Sequence, residues 1–392
     1  MISVRTGDRN ADEGRSADED RERLLAVFAD EVYGRPPIGP VPLRWELLRQ
    51  TPGPAGSTRY QFRLTLTGPC AEHSLTVLAQ VPGADPAGER AGAPAFLGLN
   101  FLGNHTTTAD PAVLAPGDAH DGAPALHYDG KPDAADGPPP RNAKADSQAW
   151  DLVADAGFAS LTVCYLELGP DTPRIFDVGL HPALSRTRTE SREPDTWGAI
   201  SLWAWMLSRL QDALEQGMVP GIDPARVIVH GHSRLGKTAL WAAAQDARFS
   251  AAISNNSGCM GAAIDRGVGE SHEVITGAFP HWFTPGFTAL IARGGTPSAD
   301  QDAMMSCIAP RGLYVASASE DLHADPEGEF LGWLGAASAW TGRTEGIAFP
   351  APGGAAEVPG SPLAYHLRPG EHTVERFDWQ RWLDVAGRWA AR

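Results

Sequence analysis

The segment Val227-Ile228-Val229-His230-Gly231-His232-Ser233-Arg234-Leu235-Gly236-Lys237-Thr238 restricts the possible folds of this chain more than any other. An apolar, β-branched run of the kind that forms a strand breaks at a glycine turn and passes at once into a helix. The same rhythm surrounds it. Strands are expected at 159–163, 226–230, 251–254 and 312–317, and helices at 197–215, 237–245, 328–339 and 378–391. Strands alternating with helices pair in parallel and carry the helices on both faces. The expectation is therefore an α/β fold with a mostly parallel central sheet, a three-layer α/β/α sandwich. Earlier in the chain, residues 60–66 and 75–79 alternate apolar and polar side chains and read as antiparallel strands of a meander. Residues 95–99 form a continuous apolar run, the pattern of a strand buried on both faces.

The 392 residues fit one large α/β domain, expected over 21–392 with loop insertions at 110–146 and 260–305. Residues 1–20 read as a mobile charged tail, without the apolar stretch of a secretion signal, so a cytoplasmic location is the default expectation. A segment near Glu22 places Leu24, Leu25, Phe28 and Val32 on one helical face. Apolar residues at 42 % suffice for a core and exclude whole-chain disorder. The net charge of −16 argues against nucleic acid or an anionic membrane as partner. No apolar run approaches the ~20 residues of a membrane span. Cys70, Cys164, Cys259 and Cys307 are widely spaced without a C-x-x-C pair, which removes a zinc ribbon. They are read as free buried thiols, although two disulfides are also compatible. No H-E-x-x-H occurs and His281-Trp282-Phe283 has no ligand partner, so neither metal nor cofactor is expected. Nothing in the sequence speaks to the oligomeric state.

Two unrelated motifs fit the 231–238 turn. Gly231-x-x-x-x-Gly236-Lys237-Thr238 satisfies the P-loop pattern, which would make the chain an NTPase. The same residues put Ser233 on a sharp strand-to-helix turn, resembling the nucleophile elbow of the α/β-hydrolases. A P-loop needs a carboxylate at a neighbouring strand end to hold Mg²⁺, and the next strand ends Ile253-Ser254-Asn255-Asn256. The hydrolase needs Ser, then acid, then His along the chain. Strand 312–317 is followed by Glu320 and Asp321, and His372 stands in a glycine-containing loop before the last helix. The hydrolase reading is favoured, with Ser233 and His372 as catalytic residues. Asp321 is preferred as the acid over its neighbour Glu320. One detail departs from the general G-x-S-x-G elbow: Leu235 holds the second glycine position, and Gly236 follows it.

That variant, Gly231-His232-Ser233-Arg234-Leu235-Gly236-Lys237, resembles the G-x-S-R-x-G-K elbow of the glucuronoyl esterases, the fifteenth carbohydrate-esterase family. The resemblance extends to Val32-Tyr33-Gly34-Arg35-Pro36, Leu99 to His105, Trp197 to Trp205, Asn255 to Cys259, Gly269-Glu270-Ser271, Phe279 to Phe283 and Ile308 to Arg311. It implies an α/β-hydrolase fold and hydrolysis of carbohydrate esters, foremost esters of (4-O-methyl-)glucuronic acid such as those joining lignin to xylan. It also implies an acyl-enzyme formed on Ser233, an oxyanion held by Arg234, and substrate contacts from Lys237, Glu270, Trp282 and residue 323. The family is generally secreted. Bacterial members are often labelled acetylxylan esterase-like, which makes carbohydrate O-acetyl ester cleavage the alternative. Three positions differ from relatives. Asn256 stands where fungal members carry their acid. His323 stands where a sugar-contacting Trp is usual. His232 replaces a bridging cysteine.

Overall fold

The computed structural model describes residues 16–83, 92–115, 139–340 and 343–390. In chain order the elements are α1 (Ala17–Val27), β1 (Leu43–Pro52), β2 (Thr58–Thr67), β3 (Glu72–Val81), β4 (Ala93–Asn100), α2 (Trp150–Asp155), β5 (Ala159–Cys164) and α3 (Leu180–Leu184). There follow α4 (Ala199–Glu215), β6 (Ile222–His232), α5 (Arg234–Gln245), β7 (Ala251–Asn255), α6 (His272–Ala278), α7 (Pro285–Ala292) and α8 (Gln301–Ser306). The chain closes with β8 (Gly312–Ala318), α9 (Pro326–Ala336), β9 (Ala355–Glu357), β10 (Leu363–Arg368) and α10 (Arg376–Ala390).

These elements gather into two compact units, each assembled from three separate stretches of chain. The unit built from 36–192, 205–229 and 374–392 carries strands in the order β1-β2-β3-β5-β4, with the first part of β6 beside β4. Its outer strands are the antiparallel meander expected from their alternation, with Phe62 opposite Val77 and Leu64 opposite Leu75. The apolar β4 pairs in parallel with β5, whose Ala159, Leu161 and Val163 alternate with Ser160 and Thr162, and both strands are buried throughout or nearly so. The rings of Phe158 and Trp379 pack on Phe96 at 5.2 and 5.3 Å.

The second unit, from 1–35, 193–204 and 230–373, runs from the end of β6 through β7, β8 and β10 to β9. Here β7 pairs in parallel with β8, and β8 with β10. Helix α5 packs on β7, and α9 on β8. Its core is aromatic: Tyr33 lies 5.0 Å from Trp241 and donates its hydroxyl to the Met260 carbonyl at 2.8 Å. Buried Trp and Tyr keep a polar tip, and this bond satisfies one of them.

The structure departs from the sequence reading in several places. The charged stretch 17–20 is the first turn of α1 rather than tail. Ser16 and Glu19 form a reciprocal capping box, and Asp18, Glu19 and Asp20 suit the positive end of the helix dipole. Strand β1, at the sheet edge, is not among the expected strands; Leu43, Trp45 and Leu47 alternate with polar residues, yet none of its residues is buried. Of the 110–146 insertion, residues 116–138 lie outside the described residues. Its flanks are tied down, with Arg141 donating to the Asp110 and Val113 carbonyls and Arg59 paired to Asp110 at 2.7 Å. The 260–305 insertion holds α6, α7 and α8. All four cysteines are free, but Cys70 is exposed, because it sits in the tight turn between β2 and β3.

Candidate active site

All the candidate site residues fall within 230–373, on loops after β6, β7, β8 and β10 or on the helices that follow. The elbow comes first. Ser233 has φ 56° and ψ −129°, a left-handed conformation that non-glycine residues avoid at a cost of order 1–3 kcal/mol. Its N–H donates to the Asn255 carbonyl at 2.8 Å, and its own carbonyl accepts from Gly236 and Lys237. The turn is therefore held by backbone. Ser233 occupies the N-cap of α5, yet its hydroxyl caps no helical N–H and stays available. The glycines explain the altered motif. A side chain on Gly231 would collide with the Leu235 carbonyl, and one on Gly236 would press on Ser254 and Ser257 at 3.0 Å. The helix needs its small residue at 236, where it meets β7 and the turn after it.

Beyond β8, Asp321 faces His372, with Nδ1 and Oδ2 at 2.5 Å. The Asp321 side chain is 5 % exposed and that of His372 44 %. Glu320 points away into solvent. Asn256, also left-handed at φ 48°, donates its Nδ2 to the same Oδ2 of Asp321 at 2.8 Å. Burial raises the cost of charge on Asp321. The His372 hydrogen bond and charge, with the Asn256 amide, outweigh that and hold the carboxyl below the usual range. His232, next to Ser233, meets Asn255 Oδ1 at 2.7 Å through Nδ1, and its ring centre is 4.4 Å from that of His372. Burial and then the neighbouring imidazole push His232 down to about 3, so it is neutral.

Arg234 extends over an aromatic shelf. Its guanidinium lies 5.1 Å from the Phe279 ring centre and 4.7 Å from that of Trp282. Those two rings stack at 4.0 Å and 6°. Trp282 is only 3 % exposed. It packs against Phe279, Arg234, Trp203, His281 and Phe283. Lys237 is also buried. Its ammonium donates to the Ser257 carbonyl and lies 3.6 Å from Glu270 Oε2. The amine is turned to the turn after β7 and to an acid, unlike the phosphate-facing lysine that a P-loop requires. The second oxygen of Glu270 is 3.4 Å from Nε2 of His323, which is 68 % exposed. The Glu270 N–H donates to the His323 carbonyl at 2.8 Å, locking the two loops together.

Sequence reasoning passed over Asn256 as a donor, His232 as a ring neighbour of His372, Phe279 as half of the arginine shelf, and Glu329. The last is fully buried on α9, and its carboxylate receives N–H bonds from Ser257 and Gly258 and the hydroxyl of Ser317. Only the Asp325-Pro326 helix start hinted that α9 would begin there and aim position 329 inward. Among the described residues, no group of three or more His, Cys, Asp or Glu side chains is placed to hold a metal ion.

A parallel sheet whose elbow serine is followed by an acid after β8 and a histidine after β10 is an α/β-hydrolase. The family model described as "Glucuronyl esterase, fungi" matches residues 192–341. A carbohydrate esterase from an unknown prokaryotic organism is 31 % identical over 376 residues, 94 % of this chain and 84 % of that protein. The solved structure of a glucuronoyl esterase from Solibacter usitatus has a TM-score of 0.79 at 34 % identity, covering 94 % of this chain and 92 % of the other. A 4-O-methyl-glucuronoyl methylesterase from Sodiomyces alcalophilus is 35 % identical over 146 residues, 35 % of this chain and 28 % of its own length. The chain belongs to the glucuronoyl esterases and is a carboxylic ester hydrolase.

Proposed function

We propose that this esterase cleaves esters of glucuronic acid through an acyl-enzyme on Ser233, with His372 as base and Asp321 as the acid that orients it. The observation that carries this reading is the buried Asp321 carboxylate on His372 Nδ1, with the His372 ring 4.4 Å from that of His232, the neighbour of the strained Ser233. With Nδ1–H committed to Asp321, Nε2 is left to take the serine proton. Ser233 Oγ attacks the ester carbonyl as its proton passes to His372. The imidazolium then returns that proton to the departing alcohol oxygen, leaving the glucuronoyl group on Ser233. Water, deprotonated by His372, attacks the acyl carbon and releases the free uronic acid and the serine. The guanidinium of Arg234 meets the charge that develops on the carbonyl oxygen, and Phe279 and Trp282 keep it in place.

Lys237 and Glu270 hold the sugar hydroxyls. In a glucuronate ester the sugar is the acyl half, so these contacts position the carbonyl over Ser233 whatever alcohol leaves. In an acetylated sugar the acyl half is the acetyl group, and the same contacts would grip the leaving group. Polar sites of this kind reject molecules lacking the matching groups strongly. The test is a side-by-side measurement of kcat/KM on methyl or benzyl glucuronate, acetylated xylan and 4-nitrophenyl acetate. Glucuronate esters should lead clearly. A preference for the acetyl esters overturns the substrate assignment. Ser233→Ala should lose more than about 10⁴-fold in kcat with an unchanged circular dichroism spectrum, and retained turnover overturns the serine mechanism.

A further inference from the structure

We infer that Glu329 is a positioning residue that keeps the acid–base pair and the sugar-binding lysine in register through a single turn, residues 256–258. Glu329 lies in the first full turn of α9, with its N–H on the Asp325 carbonyl at 2.9 Å. It has no exposed surface. Oε1 accepts from Ser257 N at 2.6 Å, Gly258 N at 2.9 Å and Ser257 Oγ at 3.2 Å. Oε2 accepts from Ser317 Oγ, on β8, at 2.6 Å. The carboxylate thus bridges β8 and the turn after β7.

That turn requires a clamp. Asn256 and Gly258 both have positive φ, 48° and 58°, and flank Ser257 on either side. Such a backbone persists only where its surroundings over-determine it. Two branches leave the turn. Asn256 reaches Asp321 Oδ2. The Ser257 carbonyl receives the Lys237 ammonium, which in turn faces Glu270. Rotating the Ser257 peptide would therefore disturb the acid and the sugar pocket together. A carboxyl buried this deeply costs free energy that an apolar side chain would not. Its four donors give the reason for placing it here. Burial, opposed by the Ser317 hydroxyl and the two amides and reinforced by the nearby Asp321 charge, pushes Glu329 up to about 7. When it takes a proton, Oε2–H can donate to Ser317 Oγ while Oε1 keeps both amides. The clamp therefore works in either protonation state, and glutamine can imitate the protonated one.

The inference rests on the glucuronate reading above. Its test is steady-state kinetics of Glu329→Ala, Glu329→Gln and Ser317→Ala, on methyl glucuronate and on 4-nitrophenyl acetate, with Tm for each variant. Loss of the clamp in Glu329→Ala should lower kcat on both esters by about tenfold or more and raise KM only for the glucuronate, again about tenfold. Glu329→Gln, whose Oε1 still accepts from the two amides while its Nε2 donates to Ser317 Oγ, should rescue both constants to within about threefold. Ser317→Ala should move the same two constants in the same direction by less, and it supplies the answer if Glu329→Ala does not fold. A lower Tm with unchanged kinetic constants, or a fall in kcat with the glucuronate KM intact, overturns the coupling. If wild-type enzyme itself shows no preference for the glucuronate ester, the substrate reading has failed instead, and the kcat effect on 4-nitrophenyl acetate still decides whether Glu329 positions the acid–base pair.

Discussion

Asn256 donates to Oδ2 of Asp321 at 2.8 Å, the same oxygen that faces His372 at 2.5 Å. An amide at the end of β7 therefore serves an acid that arrives from the loop after β8. Asparagine cannot carry the charge that stabilises an imidazolium. It can supply a fixed N–H, and with His372 it holds the Asp321 carboxyl charged against burial.

The role of that acid is separable by substitution. Asp321→Asn should cut kcat by about 10³–10⁴-fold, as loss of the orienting carboxylate does in serine hydrolases. Asn256→Ala should cost far less, about tenfold, because His372 keeps its partner. Glu320→Gln should stay within about twofold of wild type, as expected of an exposed surface change. Steady-state rates on methyl glucuronate decide, and a crippled Glu320→Gln beside a mild Asp321→Asn would reverse the assignment.

Arg234 should matter to kcat and not to KM. Removing one such donor costs about 10²–10³-fold in rate, so Arg234→Ala should fall in that range. Phe279→Leu keeps an apolar side chain but loses half of the shelf beneath the guanidinium. With cation–π contacts worth ~0.5–2 kcal/mol, its kcat should drop by about 2- to 30-fold. Equal rates for wild type and Arg234→Ala would remove Arg234 from the chemistry.

At position 323 an exposed imidazole lies against Glu270. A stacked aromatic contributes ~0.5–1.5 kcal/mol, so His323→Trp should lower KM for glucuronate esters by about 2- to 10-fold. The constants for 4-nitrophenyl acetate should not change. An equal KM shift for both substrates would show that the indole acts elsewhere than on the sugar.

Acid should destabilise the fold through its buried imidazoles. Burial alone pushes His230, on β6, from 6.5 down to about 4. The folded chain then binds fewer protons than the unfolded one in this range. Its contribution is complete above pH 6.5 and is lost as pH falls from 6.5 toward 4. Between pH 6.5 and 5 this amounts to about 2 kcal/mol. His232 acts in the same direction. Tm measured from pH 7 to pH 5 should fall, and His230→Leu should flatten the slope. An identical slope in the variant would show that His230 titrates normally.

Much of this architecture can be read along the chain. The alternation of apolar runs and helical stripes foretold β5, β7, β8, α4 and α5, and the break at Gly231 foretold the elbow on Ser233. What stayed hidden lies at the surface. Strand β1 is exposed along most of its length, and the first turn of α1 looked like a charged tail because its stabilisation lies in a side-chain cap and a dipole.

The sequence by itself determined the residues that depend on short-range geometry. The strained turn needs Gly231 and Gly236, and the order of serine, acid and histidine follows from the order of strands. Only the tertiary structure decided which acid meets His372, where the Lys237 ammonium points, and that Trp282 supports Arg234 from a buried position. It also decided that Glu329 closes the turn after β7. The reason is distance along the chain. His372 and Asp321 are 51 residues apart, Asp321 and Asn256 are 65 apart, and Glu329 and Ser257 are 72 apart. Backbone propensity and side-chain periodicity act over a few residues, whereas contacts at such separations exist only once β7, β8 and β10 have paired and brought their loops to one end of the strands.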